Sequence, residues 1–379
     1  MANSFTLYGM RGSLYTGKVR AYMRYNQIPF KEVKAGSDHF RHVVSKAVGR
    51  WIIPVIETPD GDYVQDGSVI LDYFEDHGHS QTSIYPSDPR LKVIAHLFEL
   101  FGGEGLLRPA MHYRWNFDET NLEFLKVAFE DVIPDGLDEE TYEEFFLNSS
   151  GKMRKAAMFF GVTPEVQPTV EAAYQEFLGL FEAHMKERPF LLGGYPTIGD
   201  YGLFSPLYAH LARDPAPLHL MQTRAPRVHR WTERMNMPER YVDGTALKAS
   251  DNLFGFEAIP NTLKALMGFV AQDYLPEITA HIQYTNNWLA ENPDPARAHD
   301  PKSRFLGATT FEWRGHQISS IVGPYRNFLL QRLTDSFDAL SEAHKGDVRT
   351  LFGEVDLNSI LELRSPHRVV RRDYLEVWE

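Results

Sequence analysis

The strongest constraint on this chain is the alternation of short strand-like and helix-like runs over its first 80 residues. Phe5-Thr6-Leu7-Tyr8 reads as a strand stopped by Gly9 and Gly12. From Gly17 to Tyr25 the apolar positions Val19, Tyr22 and Met23 recur at helical spacing. Phe30 to Lys34 alternates as a second strand, and Asp38 is placed to cap a helix running to Lys46. Pro54-Val55-Ile56-Glu57 and Asp62-Tyr63-Val64-Gln65 flank Thr58-Pro59-Asp60-Gly61, a hairpin with a Pro-Asp-Gly turn. Val69, Ile70, Tyr73 and Phe74 give a further helix. The order βαβαββα implies a mixed sheet with helices packed on its faces.

Beyond residue 82 strand signals fade. Leu91 to Trp115 is a long helical stretch interrupted at Gly102-Gly103, and Val170 to Lys186 is another. Residues 116 to 150 are acidic and read as an exposed insertion. Thr197 and Asp200, three apart before the run Tyr201 to Leu211, form a capping box, with the hydroxyl expected to take the Asp200 amide. Further on, Thr262 to Leu289 reads as a helix pair broken near Pro276, and Asn292 to Arg304 as a Pro/Asp-rich linker. Phe311 to Trp313 reads as a short strand before a helix over Val322 to Phe337. Four arginines lie between Arg364 and Arg372, where salt bridging to an acidic protein is the expected use.

At 379 residues the chain has room for two or three domains. Lys plus Arg number 39 against 51 Asp plus Glu, a net charge of −12 that disfavours nucleic acid. The longest dense apolar run, Ala156 to Val162, is far short of a membrane span of roughly 18 residues. Met1-Ala2-Asn3-Ser4 lacks the features of a signal peptide, so a cytoplasmic address is expected. There is no cysteine, which removes disulfides, thiolate metal sites and any protein-borne thiol nucleophile. The fifteen histidines show no metal-binding spacing, and no metal is expected.

Gly12 to Lys18 fits G-x-x-x-x-G-K between a strand and a helix. A phosphate loop needs Ser or Thr next, to hold magnesium, and Val19 stands there. The same loop reads better alongside two downstream features. Ile53-Pro54 opens a strand, where a cis bond would turn the Ile53 amide and carbonyl toward an extended ligand. Gln65-Asp66-Gly67-Ser68 leads straight into a helix, whose free amides suit a carboxylate while Asp66 suits an ammonium. Those two groups on one carbon are an α-amino acid headgroup.

In this order and spacing the chain resembles a glutathione transferase with an enlarged C-terminal part. The resemblance rests on Gly9 to Thr16, Ile53-Pro54-Val55, Gln65-Asp66-Gly67, and Pro189 to Gly194 followed by Thr197 and Asp200. It implies a thioredoxin-like α/β domain over 1–80, an all-α domain over 88–238 and a mostly helical extension over 241–379. It further implies glutathione as co-substrate, a small hydrophobic electrophile, a homodimer and a detoxifying role. Ser13, before Leu14-Tyr15, matches the residue that stabilises the glutathione thiolate in the serine-type classes. Tyr8 and Tyr15 are its alternatives. Ile53, Pro54, Gln65, Asp66, Gly67 and Ser68 match the glutathione contacts, and Arg50 or His39 is placed for the glycyl carboxylate. Met10, Met111, Tyr113 and Trp115 are candidates to line the electrophile pocket. Without cysteine, the chemistry open to such a chain is conjugation, ether cleavage, dehalogenation or isomerisation through glutathione's own sulfur. The opposing expectation is a non-catalytic binding or scaffold protein on the same fold.

Overall fold

The computed structural model describes residues 4–237 and 252–379. The expected start of the extension at 241, and the first three residues of the chain, lie outside the described residues. Two compact units result, one formed by 4–84, 110–157 and 204–237, the other by 85–109, 158–203 and 252–379.

In the first unit a four-stranded sheet has the order β2-β1-β3-β4, with β1 Phe5–Gly9, β2 Phe30–Lys34, β3 Val55–Glu57 and β4 Tyr63–Gln65. β1 and β2 are parallel, joined by the helix Leu14–Tyr25, while β3 runs antiparallel to β1 and to β4. This is the mixed thioredoxin-like sheet that the βαβαββα order demands. The β3–β4 turn closes through Gly61 at φ 91°, which L side chains rarely adopt. Phe74 of helix Gly67–Asp76 meets Tyr22 in a stacked pair at 5.8 Å and Phe5 edge-on at 5.0 Å, locking helices to sheet.

The acidic segment is more than a solvated face. Helices Asp118–Phe129 and Glu139–Met158 turn Leu125, Phe129, Phe146 and Ala157 inward onto Trp115. Dense charge described the outer face and hid the inner stripe.

The second unit is mainly helical. As the sequence suggested, Pro89–Leu100 and Leu107–Trp115 are separated by a π-helical turn, Phe101–Gly105. A Cβ on Gly102 would stand 2.3 Å from the Gly202 carbonyl carbon, so only glycine permits this backbone crossing. The Thr197 box forms: the Asp200 carboxylate accepts from the Thr197 amide at 2.9 Å and the Leu191 amide at 2.8 Å, and the Thr197 hydroxyl lies 3.1 Å from the same carboxylate.

The expected helix pair appears as Asn261–Asp273 and Leu275–Glu291. Two hairpins were not expected: β5 Gly307–Trp313 with β6 His316–Val322, and β7 Val369–Arg372 with β8 Leu375–Trp378. Val322 therefore ends a strand, and the helix begins at Pro324 and runs to Asp338. The tail arginines pair inside the chain, Arg364 with Asp338 at 2.8 Å and Arg368 with Asp335 at 2.6 Å. Within this unit Glu277 accepts from Arg108, from Arg326 at 2.5 Å and from Ser320 at 2.7 Å, while Arg326 also reaches Glu104 at 2.9 Å.

Candidate functional site

All the candidate residues named from the sequence for glutathione lie in the first unit. The loop before it is fastened at three backbone points by charged side chains. Asp131 accepts from the Arg11 amide at 2.8 Å and from its guanidinium at 2.9 Å. Arg20, itself paired with Glu32, donates to the Met10 carbonyl at 3.2 Å. Arg114 donates to the Gly12 carbonyl at 3.1 Å while gripping Asp214 at 2.7 and 2.8 Å. Charge-assisted bonds of this kind hold a loop in one geometry more firmly than neutral ones.

Ser13 follows, half-buried, as the N-cap of the helix, with φ −85° and ψ 128°. Its Oγ accepts from the Thr16 amide at 3.3 Å. A hydroxyl carries one donor and two acceptor positions, so capping leaves the Ser13 O–H proton to be donated elsewhere. Tyr8 differs. Its ring is buried against Phe40, its ring centroid is 5.9 Å from that of His39, and its hydroxyl donates to the Glu57 carboxylate at 2.7 Å. Burial, then Glu57, push the Tyr8 pKa well above its ordinary value. Tyr15 is half-buried on the first helical turn, and Thr16 is buried directly over Gly9, whose Cβ would collide with it.

The second half of the site is the turn into helix Gly67–Asp76. The Ile53–Pro54 peptide is cis, and the Pro54 carbonyl accepts from the Asp66 amide at 3.4 Å. Gln65, buried at the end of β4, is in register with Val55. Asp66 has φ 92° and caps the helix, its Oδ1 accepting from the Ser68 amide at 2.9 Å and the Val69 amide at 3.2 Å. Two of the amides expected for a ligand carboxylate are thus used by Asp66 itself, and the Gly67 amide is the one at the helix start outside that cap. Arg50 is half-buried, its pKa pushed down by burial and back up by the Asp66 charge.

The two halves meet. A Cβ on Gly67 would lie 3.6 Å from the Tyr15 carbonyl oxygen, 3.7 Å from Tyr15 Cβ and 3.6 Å from Lys18 Cδ. Lys18 is buried and donates to the Ser68 hydroxyl at 2.9 Å. Sequence reasoning had met Lys18 only as the lysine of a failed phosphate loop. It also missed Asp131, Arg114 and Asp214, which no local pattern marks.

The proposed electrophile-lining residues sit in packing. Tyr113 stacks on Phe117 at 5.1 Å and 12°, Trp115 belongs to the helical core with Met111 against it, and Met10 is buried beside Gly12. Among the described residues no group of three His, Cys, Asp or Glu side chains is placed to hold a metal ion, and no helix is long and apolar enough to cross a membrane.

Residues 7–81 match the glutathione S-transferase N-terminal domain and residues 152–234 its C-terminal domain. No curated protein matches the chain. Among solved structures it is similar to the β-etherase LigF from Sphingobium sp. strain SYK-6, at 19% identity and TM-score 0.45 over 62% of this chain and 98% of that one. It is also similar to glutathione transferase GSTFuA3 from Phanerochaete chrysosporium, at 15% identity and TM-score 0.43 over 63% and 98%. A glutathione transferase homolog from Drosophila mojavensis with bound glutathione aligns at 17% identity and TM-score 0.37 over 71% and 95%. Two domains of the glutathione transferase family are thus matched, in order along the sequence, over residues 7–81 and 152–234 of this chain.

Proposed function

We propose that this protein is a glutathione-dependent transferase in which Ser13 stabilises the glutathione thiolate for attack on a small apolar electrophile. The observation that carries this reading is the contrast between the two hydroxyls nearest the loop. Ser13 accepts from Thr16 and retains a proton to donate, whereas Tyr8 has committed its proton to Glu57. A hydrogen bond from Ser13 to sulfur favours the thiolate, and each unit by which the thiol pKa falls corresponds to about 1.4 kcal/mol.

In the reaction the thiol proton passes to solvent, the sulfur lone pair forms the new bond to carbon, and the leaving group departs with its electron pair. Asp66 binds the γ-glutamyl ammonium, through the carboxylate oxygen that does not cap the helix. The Gly67 amide, with Ser68 and Lys18 behind it, receives the γ-glutamyl carboxylate. Gln65 and Pro54 shape the floor, the Ile53 backbone takes the extended tripeptide, and Arg50 takes the glycyl carboxylate. Tyr15 flanks the sulfur. On the family resemblance we also assign a homodimer in the cytoplasm, a detoxifying role, and domain limits of 1–80, 88–238 and 241–379.

Titrating glutathione into the protein by calorimetry tests the reading. Asp66→Asn keeps an excellent N-cap while removing the charge, so it should weaken binding at least tenfold without unfolding the protein. No binding to the wild type up to about 10 mM, far beyond a specific affinity, would move the assignment to a non-catalytic scaffold.

A further inference from the structure

Four arginines surround the loop over residues 10–13, and three of them are answered by carboxylates: Arg11 by Asp131, Arg20 by Glu32, Arg114 by Asp214. The fourth is Arg213. Its Nη1 is buried and has no hydrogen-bond partner among the described residues. That nitrogen stands 3.3 Å from where a Cβ on Gly12 would be, with Met10 Cε 3.4 Å from the same point. On its other side the guanidinium lies 5.5 Å above the Phe124 ring, which is half-buried. Burial pushes the Arg213 pKa down, with Arg114 and Arg20 acting the same way and Tyr208 and Asp214 opposing. An arginine stays charged under such pressure. The cation is therefore partly desolvated, lies over an aromatic face, and has its buried nitrogen close to the residue preceding Ser13.

Leaving a buried charge without a counterion is costly, and folds rarely retain one that does no work. A planar guanidinium beside apolar surface is complementary to a carboxylate carried on an aromatic ring: the oxygens meet the nitrogens while the ring covers Phe124. We propose that Arg213 seats the carboxylate of an otherwise apolar aromatic electrophile, narrowing the small apolar electrophile of the transferase reading to aromatic compounds that carry one acid group. The proposal rests on the transferase reading and specifies its substrate class.

The test uses a matched pair, 4-chloro-3-nitrobenzoate and the neutral 4-chloro-3-nitrobenzamide. With either compound, the glutathione thiolate bonds to C4 and chloride leaves with the electron pair, the thiol proton going to buffer. After division by the uncatalysed rates, kcat/KM for the benzoate relative to the benzamide should fall at least tenfold in Arg213→Gln, mainly through KM. Arg213→Lys should recover part of it. An unchanged ratio overturns the proposal. So does an equal loss of glutathione affinity in the same variant, which would place Arg213 on a glutathione carboxylate.

Binding of the unreactive 3-nitrobenzoate and 3-nitrobenzamide, followed by calorimetry, gives a readout free of turnover. The benzoate should bind wild type and be lost in Arg213→Gln and in Arg213→Met, whichever of the two folds better. A wild type that binds neither probe, or binds both alike, overturns the assignment. If glutathione itself fails to bind while nitrobenzoate binding still depends on Arg213, the transferase reading falls and the anion site stands.

Discussion

The two units handle buried charge in opposite ways. In the second, Arg108 and Arg326 share Glu277, Arg326 also holds Glu104, and Arg314 pairs with Asp273 and Glu176. Each of these three arginines has a carboxylate, and Trp313 lies beneath the Arg108 guanidinium at 4.5 Å. In the first, the arginines around the loop outnumber the carboxylates by one, and the Ser13 hydroxyl and the Gly67 amide are the groups we propose to face a ligand. A closed network fixes a fold. A network with one member missing fixes a loop and leaves a place for something else. The difference teaches that buried ion pairs in this chain have two uses, distinguishable by whether the charges balance.

The largest expected effect lies in the closed network. Glu277→Gln leaves Arg108 and Arg326 in a buried setting without the acid they share, and should cost about 3–5 kcal/mol in denaturant unfolding. A loss under about 1 kcal/mol would break the contrast, because the network would then tolerate a missing acid as well as the loop does.

Acid should sharpen the contrast further. Burial, with Arg326 acting in the same direction, holds the His281 pKa down at about 3, against the bonds to Asn327 and Gly323. Burial alone would raise the Glu277 pKa, but Arg326 and Arg108 outweigh it and bring it to about 2. His281 folds neutral and is protonated on unfolding, so its contribution is whole above about pH 6.5 and is lost as pH falls toward 3. Glu277 contributes above its ordinary range and loses that contribution between about pH 4.5 and 2. Stability should therefore drop by roughly 2 kcal/mol between pH 6 and 4.5 on account of His281 alone. His281→Gln should remove that part of the slope in unfolding curves taken at several pH values, and an unchanged slope would assign it to other groups.

The site itself predicts a smaller change in free energy. Ser13→Ala should lower turnover at least tenfold, about 1.4 kcal/mol in barrier, with little change in glutathione affinity. Losing the helix cap should also cost about 1 kcal/mol of stability. Tyr8→Phe should keep turnover and lower stability by about 1–2 kcal/mol, since it cuts a bond to a carboxylate. If the two variants exchange effects on turnover, the serine assignment is wrong.

How much of this was legible in the sequence depended on how far apart the partners lie. The first sheet, the interrupted helix at Gly102 and the Thr197 box follow from periodicity and capping within a few residues, and all were readable. The two hairpins were not. They turn at Arg314-Gly315 and Asp373-Tyr374, where φ is positive at both residues, and neither pair is the Asn-Gly or Asp-Gly that announces such a turn. The segments of the candidate site could be named because each is local: a loop before a helix, a proline opening a strand, an acid capping a helix. What separates Ser13 from Tyr8 could not, because Glu57 reaches Tyr8 across 49 positions of sequence. The same holds for Arg114 and Asp214, partners 100 residues apart. Asp131 lay in a run of acids that composition alone describes as solvated, yet it is buried and holds the loop.

The smallest effect is the most direct probe of the imbalance. Arg213→Met replaces the cation with a flexible apolar side chain of similar length, set beside Phe124. Replacing buried charge with fitting apolar atoms is often stabilising, and here no carboxylate is orphaned by the change. Stability should rise by about 1 kcal/mol, and the midpoint of thermal unfolding with it. Added 3-nitrobenzoate should raise the midpoint of the wild type, because a ligand that binds only the folded state stabilises it by mass action. It should leave the variant's midpoint where it was. A destabilised variant would mean that Arg213 is balanced in solution after all, and the contrast between the two units would then reduce to one of geometry.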